Sequence, residues 1–346
     1  MFLRSVTATL TALAAAVVLP GCAGGASDSV ALVGGPGPRT ADGSGGTVNL
    51  YAYAVAKVGF DAVIPAFNAT AGGKGVSVQQ SYGPSGEQSR TVAAGAAADV
   101  VALSVGPDVA RLVGAGLVAP DWDAGPHRGV PFGSVVTIVV RRGNPKAITD
   151  WDDLLKPGVE VVTPNPFSSG SAKWNLLAPY AAKSEGGANP AAGLAFIRSL
   201  VTDHVRIQPK SGREASEAFL QGTGDALLSY ENEALFLERD GDPVQHVTPP
   251  TTFTIENPVA VVKTSRNLAA ATAFDDYLYT PAAQRLLAGA GFRVVDAGVA
   301  TEFAASFPAP TKLWSIADLG GWKSVDRALF TPEVGAIAVI YDKAAT

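Results

Sequence analysis

Cysteine is the scarcest resource of this 346-residue chain: it occurs once, as does methionine, and histidine occurs three times. A single cysteine closes no intramolecular disulfide, so the fold cannot rest on covalent cross-links. The histidines, at 127, 204 and 246, stand far apart, and no His/Cys/Asp/Glu group has metal-ligand spacing; Asp121-Trp122-Asp123 reads as a loop. No metal and no other cofactor is expected. Long basic runs are also missing, since Lys and Arg never stand more than two together and the net charge is −5. That excludes a nucleic-acid groove and an electrostatic membrane patch. It leaves room for a small anion, because a local site can oppose the net charge. Neither a G-x-x-x-x-G-K-[ST] loop nor a G-x-G-x-x-G fingerprint is present to cradle a nucleotide.

What is present describes a globular, exported chain. Hydrophobic residues make up 47% and charged residues 16%, while 38 Gly and 24 Pro fall short of a low-complexity composition. The length exceeds what one growing core usually holds, so two lobes are expected. Arg4 precedes an uncharged, mostly apolar run at 6–19, the length of a signal-peptide core and too short for a mature membrane span. Leu19-Pro20-Gly21-Cys22 then resembles a bacterial lipobox. The expectation is a signal peptide at 1–21, with lipid attached to Cys22 on the outer face of the cell membrane. Residues 22–46 contain eight Gly and two Pro and show no sustained apolar period, which makes them a flexible tether.

From residue 47 onward, short apolar strands alternate with helical patterns, the mark of an α/β fold. Strands are expected at 47–54, 75–80, 99–104, 134–140, 159–164, 205–209, 225–230 and 258–262, with a helix near 58–70 that Pro65 shortens or kinks. The runs at 134–140 and 258–262 are candidates for segments that cross between lobes. The part from Asn267 on reads as helices and turns held by Phe307, Trp314 and Trp322. Asp150, Asp152 and Asp153 read as a helix start.

Three helix starts share one dipeptide: Ser85-Gly86, Ser169-Gly170 and Ser211-Gly212 each follow an expected strand. Ser85 with Gln88 and Ser211 with Glu214 fit the S-x-x-E/Q capping box. First-turn N–H groups lack intrahelical acceptors and the helix dipole makes that end partly positive, while glycine lets a ligand approach the backbone. Together these make an anion cradle, and ligands of open α/β sheets sit beyond the strand ends where such loops meet. The rival from another class is a serine hydrolase, with Ser85 or Ser169 as nucleophile and His127, His204 or His246 as base. The missing G-x-S-x-G elbow argues against it.

The stretches QSYGPSGEQ (80–88), ADVVAL (98–103), RRGNPKAITDWDDLLKPGVEVVTPNPFSSGSAKWN (141–175) and GDALLSYENEALF (224–236) closely resemble the sulfate-binding proteins of bacterial ABC importers. The resemblance implies no enzyme and no catalytic residue. It implies a two-lobed, hinged periplasmic-binding-protein fold of the type II, Venus-flytrap kind. The expected lobes are 47–132 plus 258–346 and 133–257, in a monomer that hands sulfate to the transmembrane subunits and ATPase of a permease. It also implies backbone donors at Ala54, Ser85, Gly170, Ser171 and Arg213, a hydroxyl donor at Ser169 and an aromatic donor at Tyr230. This chain departs from the family at four of these places. Ala54 stands for an aspartate, Ser171 for a glycine, Tyr230 for a tryptophan, and Arg213-Glu214 for a small residue followed by arginine.

Seven hydrogen bonds to a charged group, at roughly 1.5–3 kcal/mol each, can exceed an association cost of about 4–15 kcal/mol without any counter-ion. Sulfate carries no proton at neutral pH, whereas phosphate carries at least one and needs an acceptor for it. Indole only donates, but a phenol also accepts, so Tyr230 is expected to weaken rejection of protonated oxyanions. Thiosulfate, phosphate and molybdate are the alternative ligands.

Overall fold

The structure, a computed structural model, describes residues 45–344. The expected signal peptide, Cys22 and all of the tether but Gly45 and Gly46 lie outside the described residues.

The first sheet grows from β1 (Gly46–Tyr53), which is buried continuously from Leu50 to Tyr53. Its neighbours β2 (Val76–Gly83) and β3 (Val100–Ala102) both run parallel to it, with Leu50 opposite Gln80 on one side and Val100 on the other. Parallel neighbours require crossovers. α1 (Lys57–Asn68) and α2 (Ser85–Ala93) supply them, so both helices start at the carboxyl edge of the sheet. α1 continues through Pro65, which sits on its exposed side, to Asn68. The proline therefore does not end the helix. α3 (Gly106–Gly114) follows β3 from the same edge.

The second sheet is built on β4 (Phe132–Arg141), with β5 (Val161–Val162), β6 (Val205–Ile207), β7 (Ala226–Tyr230), β8 (Val244–Val247) and β9 (Thr251–Asn257). β4 pairs antiparallel with β9 over its first residues and with both β7 and β8 over its later ones. β5 lies parallel between β6 and β7. The crossover helices here are α4 (Gly170–Lys183), α5 (Pro190–Ser199) and α6 (Gly212–Leu220), and α7 (Glu231–Asp240) follows β7 directly. Asp150 caps the short 3-10 helix Trp151–Leu155, with Asp153 reaching back to the Asp150 N–H.

After β9 the chain passes Pro258 and returns to the first sheet as β10 (Val259–Val261), antiparallel to β3. The apolar run at 258–262 is thus a return from one sheet to the other, while the run at 134–140 lies wholly within the second. α8 (Leu268–Leu278) and α9 (Pro281–Gly289) pack beside α1, and β11 (Arg293–Val294) pairs with the start of β4. α10 (Ala297–Glu302) leads to β12 (Lys312–Trp314), which pairs parallel with β9, and α11 (Trp322–Val325) precedes α12 (Ala336–Ala344), which lies on α5.

Strand pairing therefore divides the C-terminal part: β10, α8 and α9 go with the first sheet, β12 and α12 with the second. β12 completes the open edge of β9. Four strands, β8, β9, β11 and β12, are absent from the expected set.

One apolar core runs through both halves. Phe132 packs edge-on to Phe60 and to Phe292, with ring centroids 5.9 and 4.9 Å apart. Trp174 does the same with Trp322 at 4.7 Å. Aromatic pairs in this geometry add to their area burial.

Candidate functional site

The chain turns from strand to helix at five places where the two sheets face each other. Ala54 opens the 3-10 turn Ala54–Ala56 at the end of β1, Ser85 is the first residue of α2, and Ser169 precedes α4, whose first residues are Gly170 and Ser171. Arg213 is the second residue of α6, and Tyr230 ends β7 just before α7. The first-turn amides at these starts have no acceptor within their own helices.

Close approaches bring the five starts together. A Cβ on Gly170 would stand 2.7 Å from Ser104 Cβ, and one on Gly212 would stand 3.2 Å from Val55 Cγ1 and 3.3 Å from Ser171 Oγ. The Gly86 N–H donates to the Ser168 carbonyl at 3.2 Å, directly joining α2 to the loop before α4. The Tyr53 and Tyr230 rings lie 6.2 Å apart. The seven residues expected to bind the ligand therefore converge on one seam. Ser85, Ser169, Gly170, Ser171 and Tyr230 are buried there, and Ala54 and Arg213 are half-buried. Two surface hollows, about 220 Å³ beside Tyr180 and Leu329 and about 380 Å³ beside Val58 and Phe236, are lined by other residues.

The three Ser-Gly starts differ in what their hydroxyls do. Ser211 caps α6, accepting the Glu214 N–H at 3.1 Å. Glu214 answers only in part, taking the Lys210 N–H and the Ser211 hydroxyl rather than the Ser211 N–H. The capping box expected at Ser85 and Gln88 does not form. Pro84 holds the cap position, and the Ser85 hydroxyl donates to Asp108 Oδ2 at 2.6 Å while accepting the Ser104 N–H at 2.9 Å. Asp108 is the stronger acceptor and reaches Ser85 from α3, whereas the Gln88 amide faces Ser81. Ser169 has extended backbone and makes no cap hydrogen bond. Unlike the hydroxyls of Ser85 and Ser211, its hydroxyl is committed neither to its own helix nor to a neighbouring element.

Arg213 is the cationic residue of the set, and its side chain is engaged by Glu233 and Phe236. Its Nη2 lies 3.1 Å from Glu233 Oε2 and its guanidinium stacks over Phe236. The pair meets by charge without hydrogen-bond alignment, so neither Glu233 oxygen has a hydrogen-bond donor. Burial pushes the Glu233 carboxyl above its ordinary value, and Arg213 opposes that shift.

Sequence reasoning missed the residues that join the lobes. Ser104, fully buried just past β3, donates its N–H to Ser85, accepts the Trp174 indole N–H at 2.7 Å, and shares a 2.6 Å hydrogen bond with the Tyr230 hydroxyl. Asn257 accepts from the Tyr53 hydroxyl at 2.9 Å and turns its amide nitrogen to the Ser104 carbonyl at 3.4 Å. The available signal for Ser104 was its place at the carboxyl end of a strand. Burial raises the Tyr230 hydroxyl well above an ordinary phenol, although its hydrogen-bonding neighbours pull the other way. It stays protonated.

Hydrolase geometry is not assembled. His204 Nδ1 faces the Val159 carbonyl, His246 Nδ1 faces Glu238, and His127 stacks on Tyr279. Among the described residues, no group of three or more side chains could hold a metal ion.

A family model described as "Bacterial extracellular solute-binding protein" matches residues 48–293. The sulfate-binding protein SubI from Mycobacterium tuberculosis H37Rv is 64% identical, with a TM-score of 0.82 over 82% of this chain and 99% of that one. A sulfate-binding protein of Synechococcus elongatus is 38% identical over 313 residues, 87% of this chain and 89% of its own. A thiosulfate-binding protein of Pseudomonas aeruginosa is 34% identical over 75% of this chain and 80% of its own.

Proposed function

The chain belongs to the sulfate-binding proteins within the bacterial extracellular solute-binding family, and we propose that it captures one sulfate in the seam between its lobes for an ABC importer. Its fold is the two-sheet α/β fold of type II periplasmic binding proteins, and its family is one of binding proteins rather than enzymes. One observation carries the ligand reading: strand-to-helix starts from both sheets meet at a buried seam, and Arg213, the one cationic residue of the proposed donor set, is engaged by Glu233. Such a seam offers amides and hydroxyls. It suits an anion that needs donors only, and sulfate is fully ionised.

In this reading the amides of Ala54, Ser85, Gly170, Ser171 and Arg213 point at the oxygens, with the Ser169 hydroxyl and the Tyr230 phenol completing the set. Asp108 and Ser104 fix Ser85 so that its N–H, not its hydroxyl, faces the ligand. Closing the lobes excludes water and strengthens each dipole. Cys22 carries the lipid that holds the protein at the outer face of the membrane, and the loaded form docks on the transmembrane subunits of the permease.

Calorimetry of the purified chain, stripped of bound anion, tests the reading. Sulfate should bind one to one at roughly micromolar affinity, near 8 kcal/mol, with thiosulfate as its nearest competitor and phosphate and molybdate much weaker. Absence of sulfate heat, or equal affinity for phosphate, would sink it. Radiolabelled palmitate should mark the unaltered chain in its host and fail to mark Cys22→Ala.

A further inference from the structure

The Tyr230 phenol is the one aromatic hydroxyl in the proposed donor set, and a phenol both donates and accepts. An open lone pair there would welcome the proton of a protonated oxyanion. In the structure Ser104 Oγ lies 2.6 Å from that oxygen. Asn257 is oriented by Tyr53, whose hydroxyl donates to Asn257 Oδ1, and its amide nitrogen lies 3.4 Å from the Ser104 carbonyl. Ser104 is fully buried, and its own N–H and C=O are engaged by Ser85 and Trp174. Its hydroxyl shares one hydrogen bond with the Tyr230 phenol, in which either oxygen can donate.

We infer that Ser104 is a specificity-determining positioning residue: its hydroxyl donates to the Tyr230 oxygen, fills the acceptor side of the phenol, and leaves Tyr230 a donor only toward the bound anion. The inference rests on the sulfate reading above. A negative ligand fixes the direction of the Ser104–Tyr230 bond, because the phenol proton turns to the anion and the serine proton takes the remaining place. The pair then does what a lone indole N–H would do. Tyr230 by itself would weaken rejection of protonated oxyanions, and Ser104 restores it.

The test compares four proteins, the unaltered chain, Ser104→Ala, Tyr230→Trp and the double substitution, by calorimetry with sulfate and with inorganic phosphate at neutral pH. Ser104→Ala should tighten phosphate relative to sulfate so that the sulfate-to-phosphate ratio falls roughly tenfold. With Tyr230→Trp already in place, Ser104→Ala should leave the ratio unchanged, since indole has no lone pair to fill. A merely structural serine would weaken both anions together in both backgrounds. That pattern, or an unchanged ratio in the presence of Tyr230, overturns the inference while sulfate binding by the unaltered chain preserves the functional reading. If the unaltered chain binds no sulfate, the reading and the inference fall together.

Discussion

Ser169-Gly170 and Ser211-Gly212 are the same dipeptide in the same kind of place, yet their serines do different work. Ser211 spends its hydroxyl on the Glu214 N–H and so finishes its own helix. Ser169 leaves its helix uncapped, and a Cβ on the neighbouring Gly170 would stand 2.7 Å from Ser104 Cβ. A third copy, Ser85-Gly86, is tied to Asp108 and Ser104. A motif thus announces a helix start, and the neighbours brought by the fold decide whether its hydroxyl serves the helix, serves the scaffold or stays free of both.

The comparison can be broken most strongly at Gly170. Its Cβ position lies 2.7 Å from Ser104 Cβ and 3.0 Å from Ser104 Oγ. Gly170→Ala should hold the lobes apart and weaken sulfate binding on the order of 100-fold, while Gly114→Ala, with nothing near its Cβ position, leaves affinity unchanged; equal affinities in calorimetry would contradict this. Next comes Ser169→Ala, which removes the uncommitted hydroxyl and should cost roughly tenfold in affinity with no loss of thermal stability in the anion-free protein. Ser211→Ala should show the reverse pattern, a loss of about 1 kcal/mol in denaturant unfolding with sulfate affinity within a few-fold.

The smallest effect on binding is expected far from the seam. Asp275 on α8 has a buried carboxyl whose Oδ1 lacks a hydrogen-bond partner, and burial, with Asp276 adding to it, raises its pKa from 3.8 to about 7. A raised carboxyl pKa stabilises the fold fully below the unfolded value, and that contribution is lost as pH rises from about 4 to about 7. Asp275→Asn should therefore raise the melting temperature at pH 8, match the unaltered chain near pH 4, and leave sulfate affinity alone. A melting curve showing no gain at pH 8 would argue against this assignment.

Much of the first sheet was legible because β1, β2 and β3 are short apolar runs separated by helical patterns, and each pairs with a near neighbour in sequence. β9 and β12 were not. TTFTIEN and KLW are weak strand signals alone, and they become strands by completing edges of a sheet whose spine lies more than a hundred residues earlier. The site shows the same division. The Ser-Gly starts were visible in sequence, whereas Asp108, Ser104 and Asn257 were not, since each acts on a residue of another element.

The sequence by itself determined where helices begin, which starts lack a Cβ, and that no run of positive charge would be available to hold an anion. These are local properties, set within three or four residues by hydrogen-bond reach and glycine geometry. Only the tertiary structure decided that Arg213 would face Glu233, that Ser85 would be engaged by Asp108, and that Ser104 would meet the Tyr230 phenol. A polar side chain takes the best partner that folding brings within about 3 Å, and those partners come from strands and helices far away along the chain.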